Sequence, residues 1–339
     1  MLYKYLCKKT FMIRVAINGF GRIGRSFTRA LEKHDKIELV AINDLADTNT
    51  LAHLLKYDSI HRAFNGEVKS TNNSIIINDK VVKVYSEKDP NNLPWTELNI
   101  DVVIESTGRF LTKELAQGHI NAGAKKVILS APPKSEDIKT VVLGINDNVI
   151  DGSEKIISNA SCTTNAAAPL IKVLHDLYHI ESAYITTVHS YTSDQTLHDA
   201  PHRDLRRARA GAQSIIPTTT GAAKAITKIF PDLDGKLGGC GIRVPVPNGS
   251  LIDISVILKE DPSTDAINLA FKQAANGSLK GILEYTEDPI VSIDIIGNPH
   301  SCIFDADLTS ITGHMVKLVG WYDNEMGYSN RLAELIKKI

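Results

Sequence analysis

The sequence predicts an α/β protein, with a doubly wound parallel sheet at the amino-terminal end and an α+β unit with a mainly antiparallel sheet after it. Three observations carry that expectation. First, the β-prone run Ile13–Ile17 ends at Asn18-Gly19, and a segment from Arg22 to Glu32 follows with Ile23, Phe27, Ala30 and Leu31 at helical spacing. A second β-rich run, Glu38–Ile42, completes a strand, helix, strand unit whose right-handed crossover makes the strands parallel. Second, the alternation continues through strand candidates Val81–Tyr85, Val102–Glu105 and Val127–Leu129, with a helix expected over Lys113–Ala122, and one extended parallel sheet follows. Third, the pattern changes beyond Cys162. An Ala- and Leu-rich helix from Asn165 to Leu177 leads into longer alternating runs at Ser182–Val188, Ser250–Lys259, Ile290–Ile296 and Val316–Tyr322, with helices expected at Gly221–Ile229 and Asp265–Ala275. The last segment, Asn330–Ile339, has helical spacing.

Size and composition limit the functional classes. The 339 residues give room for two domains at about 100–200 residues each. Lys plus Arg number 38 against 39 Asp plus Glu, so the weak overall field argues against nucleic acid or a membrane surface as primary partner. The four cysteines, Cys7, Cys162, Cys240 and Cys302, are scattered without a C-x-x-C pair. That spacing signals neither a disulfide framework nor a zinc site, and it fits a reducing, cytoplasmic compartment. No apolar run approaches the roughly 18–20 residues that span a bilayer. Met1–Phe11 reads as a short extension without a signal-peptide core, and Met12 is an alternative start.

Gly19-Phe20-Gly21-Arg22-Ile23-Gly24 fits G-x-G-x-x-G between a strand and a helix. There a tight turn, a close pyrophosphate and helix packing each require a missing side chain, and helix-end N–H groups attract phosphate. Asp44, twenty residues past Gly24 at the end of the next strand, suits a ribose hydroxyl and would repel a 2′-phosphate, so NAD is expected over NADP. Ser106, Thr107, Gly108 and Ser130 follow strand ends that face the same crevice.

In Ser158–Asn165 a cysteine precedes a helix. A helix N-terminus favours the thiolate that attacks carbonyl carbon, although a free cysteine is as readily a small buried hydrophobe. His189, 27 residues downstream, is the histidine placed to meet it, or else a hydrogen-bonded structural residue.

The stretches Ala16–Gly24 (AINGFGRIG), Ser158–Asn165 (SNASCTTN), Thr186–His189 (TTVH), Asp204–Ala210 (DLRRARA), Thr220–Ala225 (TGAAKA) and Trp321–Tyr328 (WYDNEMGY) together resemble the phosphorylating glyceraldehyde-3-phosphate dehydrogenase family from Met12 to the C-terminus. The resemblance implies a Rossmann NAD-binding domain over 1–161, a catalytic domain over 162–323, and a terminal helix, 324–339, returning to the first. It implies oxidation of glyceraldehyde 3-phosphate to 1,3-bisphosphoglycerate in glycolysis or gluconeogenesis. Cys162 would form a thiohemiacetal and then a thioester, with His189 as base and the Cys162 N–H as an oxyanion donor. Thr192 and Arg243 would hold the substrate phosphate, and Ser161, Thr163, Thr220 and Gly221 the inorganic phosphate. Asn324 and Tyr328 would attend the nicotinamide, and a homotetramer is implied. Arg203, Arg206, Arg207 and Arg209 fall in a loop that the family packs between subunits near the cofactor. As residue types alone, Ser161 and Thr163 are also ordinary helix-cap residues and Gly221 an ordinary helix opener.

Three positions depart from common members of the family. Ala166 replaces a frequent second cysteine, Ala200 precedes Pro201 where NAD-specific relatives often have Leu, and Asp194 follows the bacterial rather than the animal pattern. A sister enzyme, erythrose-4-phosphate dehydrogenase, shares the cysteine, histidine and glycine motifs, but would not need Thr220-Gly221-Ala222-Ala223 to hold phosphate. A non-catalytic NAD-binding redox sensor is the alternative of a different class.

Overall fold

The structure is a computed structural model that describes residues 12–339; the expectations for Met1–Phe11 lie outside the described residues. The first part runs β1 (Ile13–Asn18), α1 (Arg22–Ala30), β2 (Ile37–Asn43), α2 (Thr48–Lys56), the ribbon strands β3 (Tyr57–Asp58) and β4 (Arg62–Ala63), β5 (Val68–Ser70), β6 (Ser74–Ile77) and β7 (Lys80–Tyr85). It continues through β8 (Val102–Glu105), α3 (Lys113–Asn121), β9 (Lys126–Leu129), β10 (Lys139–Thr140) and β11 (Ile156–Ser158). The second runs α4 (Cys162–Tyr178), β12 (Ile180–Ser190), β13 (Ile216–Thr218), α5 (Ala222–Ile229), β14 (Leu237–Val244), β15 (Ser250–Leu258), α6 (Thr264–Asn276), β16 (Leu283–Thr286), β17 (Cys302–Thr312), β18 (Met315–Tyr322) and α7 (Met326–Ile336).

The first sheet has the order β10-β11-β9-β8-β1-β2-β7-β6-β5. Its central strands, such as β1, β8 and β11, are buried on both faces, as a parallel sheet covered by helices requires. Val15 and Ile17 of β1 and Ile104 of β8 join one core, while Ala16 and Val103 join another around Trp95. The chain leaves β1 toward β2 on one side and reaches β8 on the other, so a crevice opens at their carboxyl ends, the place where such sheets take ligands. The single parallel sheet expected from sequence is corrected at one edge: β6 is antiparallel to both β5 and β7. Asn78 and Asp79, both at positive φ, form the tight turn that returns β6 directly into β7, a connection too short for a parallel crossover.

The second sheet has the order β13-β14-β12-β15-β18-β17-β16 and is mainly antiparallel, with β12–β14 and β16–β17 parallel. Helix α4 lays Ala167, Leu170, Ile171 and Leu174 into the core against β15, β17 and β18. The strand expected at Ile290–Ile296 is instead a turn. Asp294 accepts from the Val291 N–H at 2.8 Å and closes the chain on itself, leaving Val291 and Ile293 exposed. The strand in that part of the sheet is β17. Helix α7 begins four residues ahead of the expected Asn330, at Met326, and packs against α1, bringing the C-terminal segment to the first sheet's crevice.

Candidate active site

The turn after β1 is built by glycines that each meet a different demand. Gly19 has φ +94°, and a Cβ there would sit 2.8 Å from the Thr107 nitrogen. A Cβ on Gly24 would lie 2.5 Å from the Gly19 carbonyl oxygen, inside the packing of α1 on the turn. A Cβ on Gly21 would meet nothing within 4 Å, so that glycine leaves open space at the start of α1. This division fits a dinucleotide pyrophosphate lying on the helix N-terminus. Asp44 follows β2 and accepts from the Phe20 N–H (2.7 Å) and the Ala46 N–H (3.0 Å), which leaves lone pairs for a ribose hydroxyl.

From Gly21, Arg22 and Ile23 a cavity of about 760 Å³ runs past Ser106, Thr107 and Ser130 to Ser161, Cys162, His189, Thr192, Arg243, Asn324 and Tyr328. Gly108, with φ +70°, closes the turn beneath it, and neither Gly108 nor Asp44 lines this cavity. Asn324 is buried, and its Oδ1 accepts from the hydroxyls of Ser190 and Ser250, both at 2.9 Å. That fixes the amide so that its nitrogen is the group able to donate to a carboxamide. Tyr328 donates to the Ala160 carbonyl at 3.1 Å. Ala160 itself lies at φ +56°, a strained turn that presents Ser161 as N-cap of α4 and Cys162 as its first residue. Ser161 Oγ accepts from the Thr164 N–H at 3.0 Å.

Cys162 Sγ lies 3.5 Å from His189 Nε2. His189 Nδ1 lies 2.7 Å from the Ser190 carbonyl oxygen; with the proton on Nδ1 that carbonyl accepts it, and Nε2 offers its lone pair to sulfur. Arg243 Nη1 donates to the same carbonyl at 2.9 Å and lies 2.9 Å from Nδ1. Burial, and next the Arg243 charge, push the imidazole down to about 3. Burial pushes the Cys162 thiol up, an effect Arg243 partly offsets. Both shifts favour the neutral pair, an S–H facing an unprotonated nitrogen.

Two family models match the chain: the glyceraldehyde 3-phosphate dehydrogenase NAD binding domain over residues 13–113, and the C-terminal domain of the same enzyme over residues 161–324. The chain is 55% identical to glyceraldehyde-3-phosphate dehydrogenase 2 of Streptomyces avermitilis over 95% of this chain and 97% of the relative. It is 54% identical to the glyceraldehyde-3-phosphate dehydrogenase of Geobacillus stearothermophilus over the same shares. The chain belongs to the glyceraldehyde-3-phosphate dehydrogenase family.

Around the cysteine, the structure distributes this family member's expected phosphate residues unevenly. Thr192 and Arg243 meet, with Arg243 Nη1 donating to Thr192 Oγ1 at 3.2 Å. Thr192 also bonds Asp194, whose other oxygen accepts from Arg207 at 2.7 Å. Burial alone would raise the Asp194 carboxyl, but the Thr192 hydroxyl and the guanidiniums of Arg243 and Arg207 outweigh it and hold it below the usual range. Thr163 is buried, its hydroxyl 3.1 Å from the Tyr322 hydroxyl, and it does not line the cavity. Thr220 and Gly221 stand at the N-terminus of α5, also outside that lining.

Sequence reasoning did not separate Arg207 from its neighbours. Arg203, Arg206 and Arg209 are exposed, whereas Arg207 turns inward to Asp194, to Thr218 Oγ1 (2.9 Å) and to the Thr219 carbonyl (3.2 Å). Glu325 was also missed. It is buried beside Asn324 and binds Arg22 through both oxygens, at 2.7 and 2.5 Å, with His61 Nε2 at 2.9 Å. Asp58 takes the other side of the same guanidinium at 2.5 Å. Arg22 lines the crevice, and its side chain ties α1 to the start of α7. The signal available in sequence was only that WYDNEMGY carries an acid next to Asn324.

Proposed function

We propose that the protein oxidises glyceraldehyde 3-phosphate with NAD and captures the acyl group on inorganic phosphate, giving 1,3-bisphosphoglycerate. The observation that carries this is the 3.5 Å contact of Cys162 Sγ with His189 Nε2 at the end of the cofactor crevice, beside Arg243.

Cys162 attacks the aldehyde carbon while its proton passes to His189 Nε2, and the imidazolium returns that proton to the oxyanion as the thiohemiacetal forms, leaving Nε2 free again. The N–H of Cys162, free at the first position of α4, donates to the developing oxyanion. The chemistry NAD supplies when bound is acceptance of a hydride at the nicotinamide. His189 takes the hydroxyl proton of the thiohemiacetal as the hydride leaves its carbon, and the thioester that remains keeps the oxidation energy. Phosphate oxygen then attacks the thioester carbon and the Cys162 thiolate leaves.

We assign the substrate phosphate to Thr192, Arg243 and, beyond the residues expected from sequence, Arg207. The inorganic phosphate falls to Ser161, Thr163, Thr220 and Gly221. Arg207 supports this pairing of sites, because it reaches Asp194 on one side and the Thr218–Thr219 backbone leading to Thr220 on the other. Thr163 would exchange its Tyr322 partner for phosphate. Gly19, Gly21, Arg22, Ile23, Gly24, Asp44, Ser106, Thr107, Gly108, Ser130, Asn324 and Tyr328 are assigned to NAD.

The same reading divides the chain at 161/162, with 324–339 serving the first domain, and the packing of α7 on α1 supports it. It places the protein in a homotetramer. Leu197, Leu205 and Ile215, 74%, 81% and 69% exposed on the segment that carries Arg207, support a subunit contact there. A cytoplasmic setting suits a free thiol nucleophile, and Cys162, Cys240 and Cys302 are unpaired among the described residues. No helix of the described residues is long and apolar enough to cross a membrane.

Cys162→Ser tests the assignment. The variant loses NADH formation about a thousandfold or more yet binds NAD as the wild type does; retained turnover would contradict the assignment.

A further inference from the structure

Beneath the cofactor crevice lies a buried polar chain that the mechanism above does not use. Glu105 ends β8 with no exposed surface, and all four acceptor positions of its carboxylate meet donors. Oε1 accepts from the Thr107 N–H at 2.8 Å and from the Thr107 hydroxyl at 2.5 Å. Oε2 accepts from Asn18 Nδ2 at 2.6 Å and from His119 Nε2 at 3.1 Å. The His119 proton is assigned by its other neighbour. The Trp95 indole N–H donates to His119 Nδ1 at 3.1 Å, and an indole only donates, so Nε2 carries the hydrogen that faces Glu105.

The chain continues across the carboxyl ends of the strands. Asn43 Nδ2 donates to Asn18 Oδ1 at 2.7 Å, and Asn43 Oδ1 accepts from the Glu87 N–H at 2.8 Å. Its upper side is the crevice floor. The Ser106 hydroxyl donates to the Gly19 carbonyl at 2.7 Å, and the space over Gly19 is closed by Thr107 so tightly that a Cβ would not fit. A shift of Thr107 therefore moves the wall of the cavity and presses on the glycine turn together.

We propose that Glu105 is a positioning residue for NAD, resting on the functional reading above. It holds the Ser106–Gly108 turn against the Gly19 turn, and His119 and Trp95 hold Glu105. A buried carboxylate does this where an amide cannot. In Glu105→Gln one of the two positions becomes a donor and faces either Asn18 and His119 or the two Thr107 donors.

The test is NAD binding by calorimetry on purified wild type, Glu105→Gln and Trp95→Phe, alongside steady-state kinetics. Glu105→Gln is expected to raise the NAD dissociation constant and NAD KM about tenfold or more. Its kcat at saturating NAD and its glyceraldehyde 3-phosphate KM stay within about twofold of wild type. Trp95→Phe, which removes the indole N–H that fixes the His119 tautomer and leaves a cavity in the core around it, shifts NAD the same way by about two- to threefold. A purely structural role would lower the active fraction, and with it kcat, at unchanged NAD affinity, and that result overturns the proposal. If Glu105→Gln does not fold, unchanged NAD affinity in Trp95→Phe overturns it equally. A wild type that does not bind NAD would instead refute the functional reading itself.

Discussion

Arg243 stands against the far side of the His189 ring: its Nη1 lies 2.9 Å from Nδ1, while Cys162 Sγ lies 3.5 Å from Nε2. Burial, and next this cation, which disfavours a second positive charge on the imidazole, hold the group at about 3. Arg243→Gln therefore raises the imidazole toward its ordinary value of about 6.5. The base must be unprotonated, so activity lost on acidification is lost at higher pH in the variant. Unphosphorylated glyceraldehyde isolates this effect, because it does not need Arg243 for binding. Its kcat/KM should show its acid limb at higher pH in Arg243→Gln than in the wild type, by less than the full return to the ordinary value because burial remains. Coincident acid limbs would contradict the assignment of His189 as base.

His189→Asn keeps a polar side chain of similar reach and removes the base. NADH formation should fall about 10²–10⁴-fold with NAD affinity unchanged. Stopped-flow measurement of the first turnover places the loss in hydride release; a variant slowed only in product release would contradict the role.

Arg207 was one arginine in a run of four until its contacts to Asp194 and Thr219 set it apart. Arg207→Leu should raise the glyceraldehyde 3-phosphate KM about tenfold or more, through loss of a charge-assisted bond to phosphate. The KM for unphosphorylated glyceraldehyde should not change. Equal effects on both substrates would assign Arg207 to loop structure alone.

Asp58 ties the ribbon after α2 to Arg22. Burial would raise its carboxyl, but the Arg22 guanidinium and the Ile60 and His61 N–H groups outweigh that and hold it at about 2. A depressed folded value stabilises the protein above the unfolded pKa, near 3.9, and the benefit fades as pH falls from there toward 2. Asp58→Asn should therefore lose about 2 kcal/mol at neutral pH. The gap in melting temperature should stay constant from pH 7 to about pH 5 and narrow below about pH 4. A gap that widens on acidification would contradict the pairing.

Much of this was legible in the chain because local chemistry dictated it. The glycines at 19 and 24 each answer a steric demand, and the strands beside the turn are buried on both faces, so pattern and fold agree. Cys162 before a helix and His189 on the next strand are 27 residues apart, and α4 with its return along β12 closes that distance. The strand expected at Ile290–Ile296 shows where pattern fails, since Asp294 satisfies a backbone N–H locally and an alternating run becomes a turn. Arg207, Glu325 and Glu105 could not be singled out, because their partners lie far along the chain or in packing that no spacing reveals. Thr163 illustrates the converse: a motif residue whose hydroxyl, in the fold, faces Tyr322.

The most direct measurement is NADH formation by the purified protein with glyceraldehyde 3-phosphate and NAD, with and without inorganic phosphate, and with erythrose 4-phosphate in a parallel assay. Sustained turnover that requires phosphate and prefers the triose is the predicted result. Turnover indifferent to phosphate, or favouring the tetrose, would contradict thioester capture by phosphate and with it the roles given to Ser161, Thr163, Thr220 and Gly221.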